Sequence, residues 1–357
     1  MPQTTKRVLV VDDSAFMRGL VTEIVEFRDD FRVVGTACDG IEALEQVRVL
    51  QPDIVTLDIA MPRMDGLAAL ERIMSETPRP VIVVSAADSA DFYSSAVTAL
   101  ELGAVEFVRK PSGPVSVDLV SVRADLMRAL DMASMVRFGP RLPQVTKEPV
   151  QSRDVAPARQ RPAGRIVVVA ASTGGPRALA AMASRLPANL EAAIVVVQHM
   201  PAVFVPTLAE RLQRICVLPV TVAEDGDQLF EGHVYVAPGE GQARLRHGNE
   251  GPVVRIDADD ALCAARPSAD PLFRSAAEVF GRRSVGVVLS GMGRDGAEGL
   301  RAIRGAGGGA IVQNRSTSII YGMPAAALAT AGADSNVPAD EIANAITALV
   351  SRRRRVA

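Results

Sequence analysis

The sequence predicts an α/β protein of two units, each built on a doubly wound parallel sheet, with a proline-rich linker between them. Three observations predict it. Short apolar runs alternate with longer amphipathic stretches along both halves of the 357-residue chain. A segment rich in proline and poor in apolar residues separates the halves. Polar residues able to do chemistry fall just past the ends of the apolar runs, where open parallel sheets place their sites. The expected boundaries are 1–137 for the first unit, 138–163 for the linker and 164–357 for the second.

In the first unit the apolar runs Arg7–Val11, Arg32–Ala37, Ile54–Leu57, Val81–Ser85 and Glu106–Arg109 predict strands. Ser14–Glu26, Ile41–Leu50, Gly66–Ser75, Ala90–Leu102 and Asp118–Met135 predict helices after each strand. Five such repeats in about 135 residues specify an open parallel sheet covered on both faces. Pro140, Pro143, Pro149, Pro157 and Pro162 then mark a segment that buries little surface.

The second series begins at Arg165. Arg165–Ala170, Ala193–Val197, Val234–Val236, Val285–Leu289 and Ala310–Val312 predict strands. Ala178–Ser184, Val203–Arg214, Pro271–Phe280 and Gly296–Ala306 predict helices. Val220–Ala223 and Ala243–Arg255, with turn residues Gly248 and Asn249, predict a hairpin appended to the sheet. The terminal SRRRRVA reads as a helix end and a solvated tail.

Composition narrows the function. A net charge of −2 with 22% charged residues argues against nucleic-acid binding through a basic surface. The three cysteines, Cys38, Cys216 and Cys263, have no paired spacing and read as reduced thiols. The N-terminus shows no signal-peptide pattern, and no run of about 18 apolar residues occurs. The expectation is a cytoplasmic protein without membrane insertion.

In the first unit, strand one ends in Asp12-Asp13, strand three in Asp58, strand four in Ser85 and strand five in Lys110-Pro111. Carboxylates gathered at one edge repel unless a cation neutralises them, and a hard divalent ion such as Mg²⁺ suits oxygen ligands. Lys110 offers a fixed charge and Ser85 a hydroxyl to an incoming phosphoryl group. Taken singly, Asp12-Asp13 serves equally as a helix cap before Ser14.

VLVVDDSAFMR, TLDIAMPRMDGL, VSAAD and EFVRKP resemble the response-regulator receiver domain over residues 6–135. The resemblance implies Asp58 as phospho-acceptor, with Asp12, Asp13, Asp58 and the Ala60 carbonyl around Mg²⁺. It also implies Ser85 as switch hydroxyl, Phe107 as aromatic switch and Lys110 as phosphate contact. One departure stands out: the most similar receivers carry an acidic side chain where this chain has Ala60. Altered phosphorylation and dephosphorylation rates are expected from it.

In the second unit, three predicted strands run into Ser172-Thr173-Gly174-Gly175, Gln198-His199 and Ser290-Gly291-Met292-Gly293-Arg294-Asp295. Ser172, His199 and Asp295 thus fall at one sheet edge, the residue types of a nucleophile, a base and its orienting acid. The chain has three histidines, and neither His233 nor His247 follows a strand end. On residues alone ASTGGP is either a nucleophile turn or a phosphate-binding turn, since it lacks the G-x-S-x-G elbow.

IVVVAASTGGP, VVVQHMP, YVAPG, RPSAD, VGVVLSGMGRDGAEG and YGMP resemble the catalytic domain of the chemotaxis protein-glutamate methylesterase/protein-glutamine glutaminase (CheB) family over about residues 164–350. The resemblance implies Ser172 as nucleophile, His199 as general base and Asp295 as orienting acid. Thr173 would adjoin the nucleophile, and the Met292 N–H would serve the oxyanion hole. Family members often place a basic or polar residue where this chain has Ala265, so Arg266 reads either as a substrate-side charge or as a partner of Asp270.

The order receiver, linker, esterase implies hydrolysis of glutamate γ-methyl esters on methyl-accepting chemoreceptors and deamidation of selected receptor glutamines. A histidine kinase of a chemotaxis-type system would be the phosphodonor. No cofactor is implied for the ester chemistry. The competing classes are a receiver-controlled module that binds phosphate at the ASTGG turn, and a DNA-binding response regulator; the second lacks a compact basic helix-turn-helix.

Overall fold

The computed structural model describes residues 5–86, 90–110, 118–136, 161–257 and 267–352. The chain divides into two compact units, Met1–Phe138 and Gly139–Ala357. Most of the expected linker, along with Cys263, Ala265, Arg266 and the end of the basic tail, lies outside the described residues.

The first unit runs β1 (Lys6–Val11), α1 (Ala15–Glu26), β2 (Phe31–Ala37), α2 (Gly40–Leu50), β3 (Ile54–Leu57), α3 (Gly66–Glu76), β4 (Val81–Ser85), α4 (Ala90–Leu102), β5 (Glu106–Arg109) and α5 (Asp118–Met135). Its strands pair in parallel in the order β2-β1-β3-β4-β5. Strand order reverses across β1 and β3, so a crevice opens beyond their carboxyl ends. β3 and β4 are buried along their whole length, which is why they read as continuous apolar runs. Helix starts follow local chemistry: Ser14, Asp39 and Asp65 each cap the helix that follows with a side-chain oxygen. Ser14 taking the cap of α1 leaves Asp12 and Asp13 free of that duty.

The second unit runs β6 (Ile166–Ala171), α6 (Gly175–Ala183), β7 (Ala193–Gln198), α7 (Val205–Ile215), β8 (Val220–Val222), β9 (Val234–Val236), β10 (Gln242–Gly248), β11 (Gly251–Asp257), α8 (Ala269–Phe280), β12 (Ser284–Val288), α9 (Ala297–Gly305), β13 (Gly309–Gln313), α10 (Gly322–Ala331), β14 (Ser335–Val337) and α11 (Ile342–Arg352). Seven strands pair in parallel in the order β14-β13-β12-β6-β7-β9-β8. β6 lies at the centre, and its six residues are fully buried. The chain leaves it for β7 on one side and returns to β12 on the other, so β6 is the switch point.

Two expectations need correction. Val220–Ala223 does not join a hairpin; β8 is the parallel edge strand, with Val220 and Val222 opposite Val234 and Val236 of β9. Three residues hold too little pattern to distinguish an edge strand from a hairpin arm. The hairpin itself is β10 and β11, a separate antiparallel pair turning at Asn249-Glu250, with Gly248 opposite Gly251. It is held to α8, where Ser275 Oγ accepts the Leu245 N–H at 2.9 Å.

Helices α6 and α8 also begin earlier than the apolar periodicity indicates. For α6 the reason is Gly174, whose φ of +77° turns the chain directly off β6 into the helix. A Cβ there would lie 2.8 Å from Ser290 Oγ.

Candidate active site and acidic cluster

Ser172, His199 and the loop leading to Asp295 are positioned by the sheet ladder itself, which continues past the strand ends. His199 N–H donates to Ala171 O at 2.9 Å, Leu289 N–H to Ala170 O at 2.8 Å, and Ser172 N–H to Ser290 O at 3.0 Å. Ala171 pairs with Gln198, so Ser172 and His199 occupy the next neighbouring positions. His199 Nε2 lies 2.7 Å from Asp295 Oδ2. No hydrogen bond joins Ser172 Oγ to His199 among the described residues; bonds between nucleophile and base are often long before substrate binds.

Asp295 is mostly buried. Its Oδ1 accepts from Ser268 Oγ at 2.8 Å, Gly296 N–H at 3.0 Å and Asp270 N–H at 3.2 Å, and its Oδ2 from Ala269 N–H at 2.7 Å. Burial pushes its pKa up, but the bonds from His199, Ala269 and Ser268 outweigh it and hold the carboxyl down at about 2. The group is an anion at any working pH, and it orients His199 without competing for its proton.

Thr173 adjoins Ser172, and its carbonyl accepts from Ser290 Oγ at 2.8 Å. The loop after β12 passes so close to Ser172 that a Cβ on Gly291 would sit 2.7 Å from Ser172 Cβ and 2.3 Å from Met323 Sδ. That approach brings the Met292 backbone next to the site, while the Met292 side chain is 46% exposed. His233 lies elsewhere, stacked on Tyr235 and hydrogen-bonded to Thr221, and His247 sits in β10.

Four buried supports escape the reading of the sequence. Gln198 Nε2 donates to the carbonyls of Ser172 and His199, both at 3.0 Å, clamping the two turns together. Ser290 Oγ bridges Thr173 O and Ile320 O, and Gln313 Oε1 accepts the Ser290 N–H. Ser268 holds Asp295. The available signal is a polar residue breaking an apolar run at a strand end, as at Gln198, Ser290 and Gln313.

In the first unit, Lys110 Nζ lies 2.7 Å from both Asp12 Oδ2 and Asp58 Oδ2. Asp12 and Asp58 are buried, and carboxylate oxygens of Asp12, Asp13 and Asp58 lie within 4.8 Å of one another. Burial pushes the Asp12 carboxyl up; burial pulls Lys110 down, but its bonds to Asp12 and Asp58 leave it raised overall. Three carboxylates facing one ammonium leave excess negative charge, and this donor set fits a hard divalent cation. Asp58 Oδ1 also accepts the Ile59 N–H at 2.7 Å. Ser85 is buried at the end of β4, and its carbonyl accepts the Lys110 N–H. Phe107 packs edge-on against Phe92 of α4, centroids 4.9 Å apart. Ala60 is exposed beside the cluster.

These two sheet edges define a class: a receiver domain carried in one chain with an α/β hydrolytic unit. Comparison with known proteins agrees. The CheB methylesterase model matches residues 167–346, and the response regulator receiver domain model matches residues 8–119. A protein-glutamate methylesterase/protein-glutamine glutaminase of Pyrococcus abyssi is 42% identical over 99% of this chain and 96% of its own length. One from Syntrophomonas wolfei is 41% identical over 97% of this chain and 99% of its own. The crystal structure of the Thermotoga maritima CheB methylesterase catalytic domain is 38% identical with a TM-score of 0.51, covering 52% of this chain and 99% of that domain. The chain belongs to the CheB methylesterase family and is a carboxylic-ester hydrolase. Among the described residues no helix is long and apolar enough to cross a membrane.

Proposed function

We propose that this chain is a phosphorylation-regulated protein-glutamate methylesterase and protein-glutamine glutaminase acting on methyl-accepting chemoreceptors in the cytoplasm. Its units are a receiver (1–137), a linker (138–163) and a catalytic domain (164–357). The observation that carries the reading is the 2.7 Å contact of His199 Nε2 with Asp295 Oδ2 beside Ser172 on the adjoining strand end.

Asp295 engages Nε2, so Nδ1 is the ring nitrogen that receives the Ser172 proton. Ser172 Oγ attacks the glutamyl γ-carbonyl carbon, and the resulting oxyanion meets the Met292 N–H. His199 returns the proton to the methoxy oxygen, methanol departs, and a glutamyl ester on Ser172 remains. Water, deprotonated by His199, then releases the glutamate. A glutamine side chain follows the same path with ammonia leaving. No cofactor takes part in these steps.

In the receiver, Asp58 accepts phosphate from a histidine kinase of a chemotaxis-type system. Asp12, Asp13, Asp58 and the Ala60 carbonyl would hold Mg²⁺, which when bound supplies charge neutralisation for the phosphoryl group. Lys110 anchors the phosphate, and Ser85 and Phe107 carry the switch. The test is methanol release from methylated receptor by the native chain and by Ser172→Ala. Loss of release with the circular dichroism spectrum unchanged is expected, and release at the native rate would leave phosphate binding at the ASTGG turn as the better reading.

A further inference from the structure

We propose that Ser268 is a positioning residue for Asp295: its hydroxyl adds a side-chain donor to Oδ1 that tunes how Oδ2 holds His199, and the Asp295 carboxylate caps α8 in its place. This rests on the Ser172–His199–Asp295 reading above. Ser268 stands at the N-cap of α8 in the extended conformation, φ −104° and ψ 143°, from which a serine oxygen ordinarily accepts a first-turn N–H. It makes no such bond. The hydroxyl turns instead to donate to Asp295 Oδ1 at 2.8 Å. The first-turn N–H groups of Ala269 and Asp270 go to Asp295, one to each oxygen.

Pro271, third in the helix, has no N–H, so the Asp270 N–H is the donor open to a serine cap, and it goes to Asp295 instead. What the exchange adds is a side-chain donor at Oδ1. Ser268 is buried, and its own N–H is pinned to Gln242 Oε1 of β10 at 2.7 Å. Its hydroxyl joins the Gly296 and Asp270 N–H groups at Oδ1, and these backbone donors keep the carboxylate within reach of His199 when the hydroxyl is removed.

The same bond sets how tightly Asp295 holds an imidazolium, since each donor to a carboxylate lowers its proton affinity. Among the described residues, the charged groups facing Asp295 are His199 from the loop after β7 and Asp270 in the first turn of α8. Arg274, one turn along α8, faces Asp270, whose own oxygen accepts the Gly299 N–H of α9. None of these replaces the Ser268 hydroxyl when it is removed. A more basic Asp295 then stabilises protonated His199, and the acid limb of activity moves to higher pH.

The experiment is methanol release from methylated receptor against pH, using the full chain as native, Ser268→Ala, Ser268→Thr and Ser172→Ala. For Ser268→Ala the expected result is a kcat lower by about tenfold, little change in KM and an acid limb of kcat/KM displaced to higher pH. Ser268→Thr keeps the hydroxyl and restores both. An acid limb that stays at the native pH in Ser268→Ala, or remains displaced in Ser268→Thr, overturns the inference even where activity is reduced. Should Ser268→Ala fail to fold, Ser268→Cys, a much weaker donor, is read the same way. Native release by Ser172→Ala would overturn the triad reading itself, whereas loss there with an unmoved Ser268→Ala profile overturns only the role of Ser268.

Discussion

Gln198 and Ala60 show how single side chains set the two sites. The Gln198 amide ties the carbonyls of Ser172 and His199, and its Oε1, without a partner among the described residues, lies against Gly175 at the start of α6. A Cβ on Gly175 would come within 2.0 Å of that oxygen, so the glycine and the amide are one fitted pair. At Ala60 the argument concerns a missing group: a methyl neither orients an attacking water nor reaches a bound phosphate. Introducing Ala60→Glu should therefore change the rate of phosphate loss from Asp58, measured by decay of the phosphorylated chain, and equal rates in the two proteins would rule the effect out. The strand-end placement of Ser172, His199, Asp58 and Lys110 was legible in the sequence, because open parallel sheets gather polar residues at those ends. Gln198, Ser268 and Ser290 were not, because a buried hydroxyl or amide has no periodic signature, and its partner is chosen by three-dimensional packing.

Helix starts and loop crossings control the sites at the level of elements. α3 begins against Asp58: the Gly66 N–H donates to Ile59 O, and a Cβ on Gly66 would fall 1.9 Å from Asp58 O. Backbone cannot yield as a side-chain tip does, so Gly66→Ala should destabilise the receiver by about 1–3 kcal/mol and slow phosphorylation of Asp58. Urea unfolding and phosphate incorporation would show it; a variant normal in both would mean that α3 shifts freely. The Asp295–α8 junction makes a prediction about pH. The Asp295 carboxyl titrates at about 2 when folded against 3.8 unfolded, a difference worth roughly 2 kcal/mol of stability. That contribution is complete above the unfolded value and fades as pH falls from about 4 towards 2. Asp295→Asn lacks it, so the stability gap between native and variant should narrow from pH 5 to pH 3 in denaturant unfolding; a constant gap would contradict the linkage. The strands themselves were largely legible, since both faces of a parallel sheet are buried and leave continuous apolar runs. Edge strand β8 was misread because an edge has only one neighbour to record itself in its sequence.

At the scale of the molecule, two switch-point crevices in one chain carry opposite chemistries. One gathers carboxylates around an ammonium and suits a phosphoryl group; the other holds a hydroxyl, an imidazole and a carboxylate at a partly exposed sheet edge. A small-molecule phosphodonor should therefore raise methanol release by the native chain and leave Asp58→Asn unresponsive. Stimulation that survives in Asp58→Asn would place the control input elsewhere. The two-unit plan was legible from the repetition of β/α units on either side of a proline-rich stretch. How one unit governs the other has no counterpart in periodicity or spacing.

The borrowed cap of α8 has a practical outcome. Two amide protons, those of Ala269 and Asp270, are hydrogen-bonded to the Asp295 carboxylate and lose those partners when it leaves its seat. Their rate of exchange with deuterium is thus a gauge of whether the reaction centre is assembled, readable without substrate, receptor or turnover. Followed during refolding, the same two amides would report the moment at which the chain becomes an enzyme rather than merely a folded sheet.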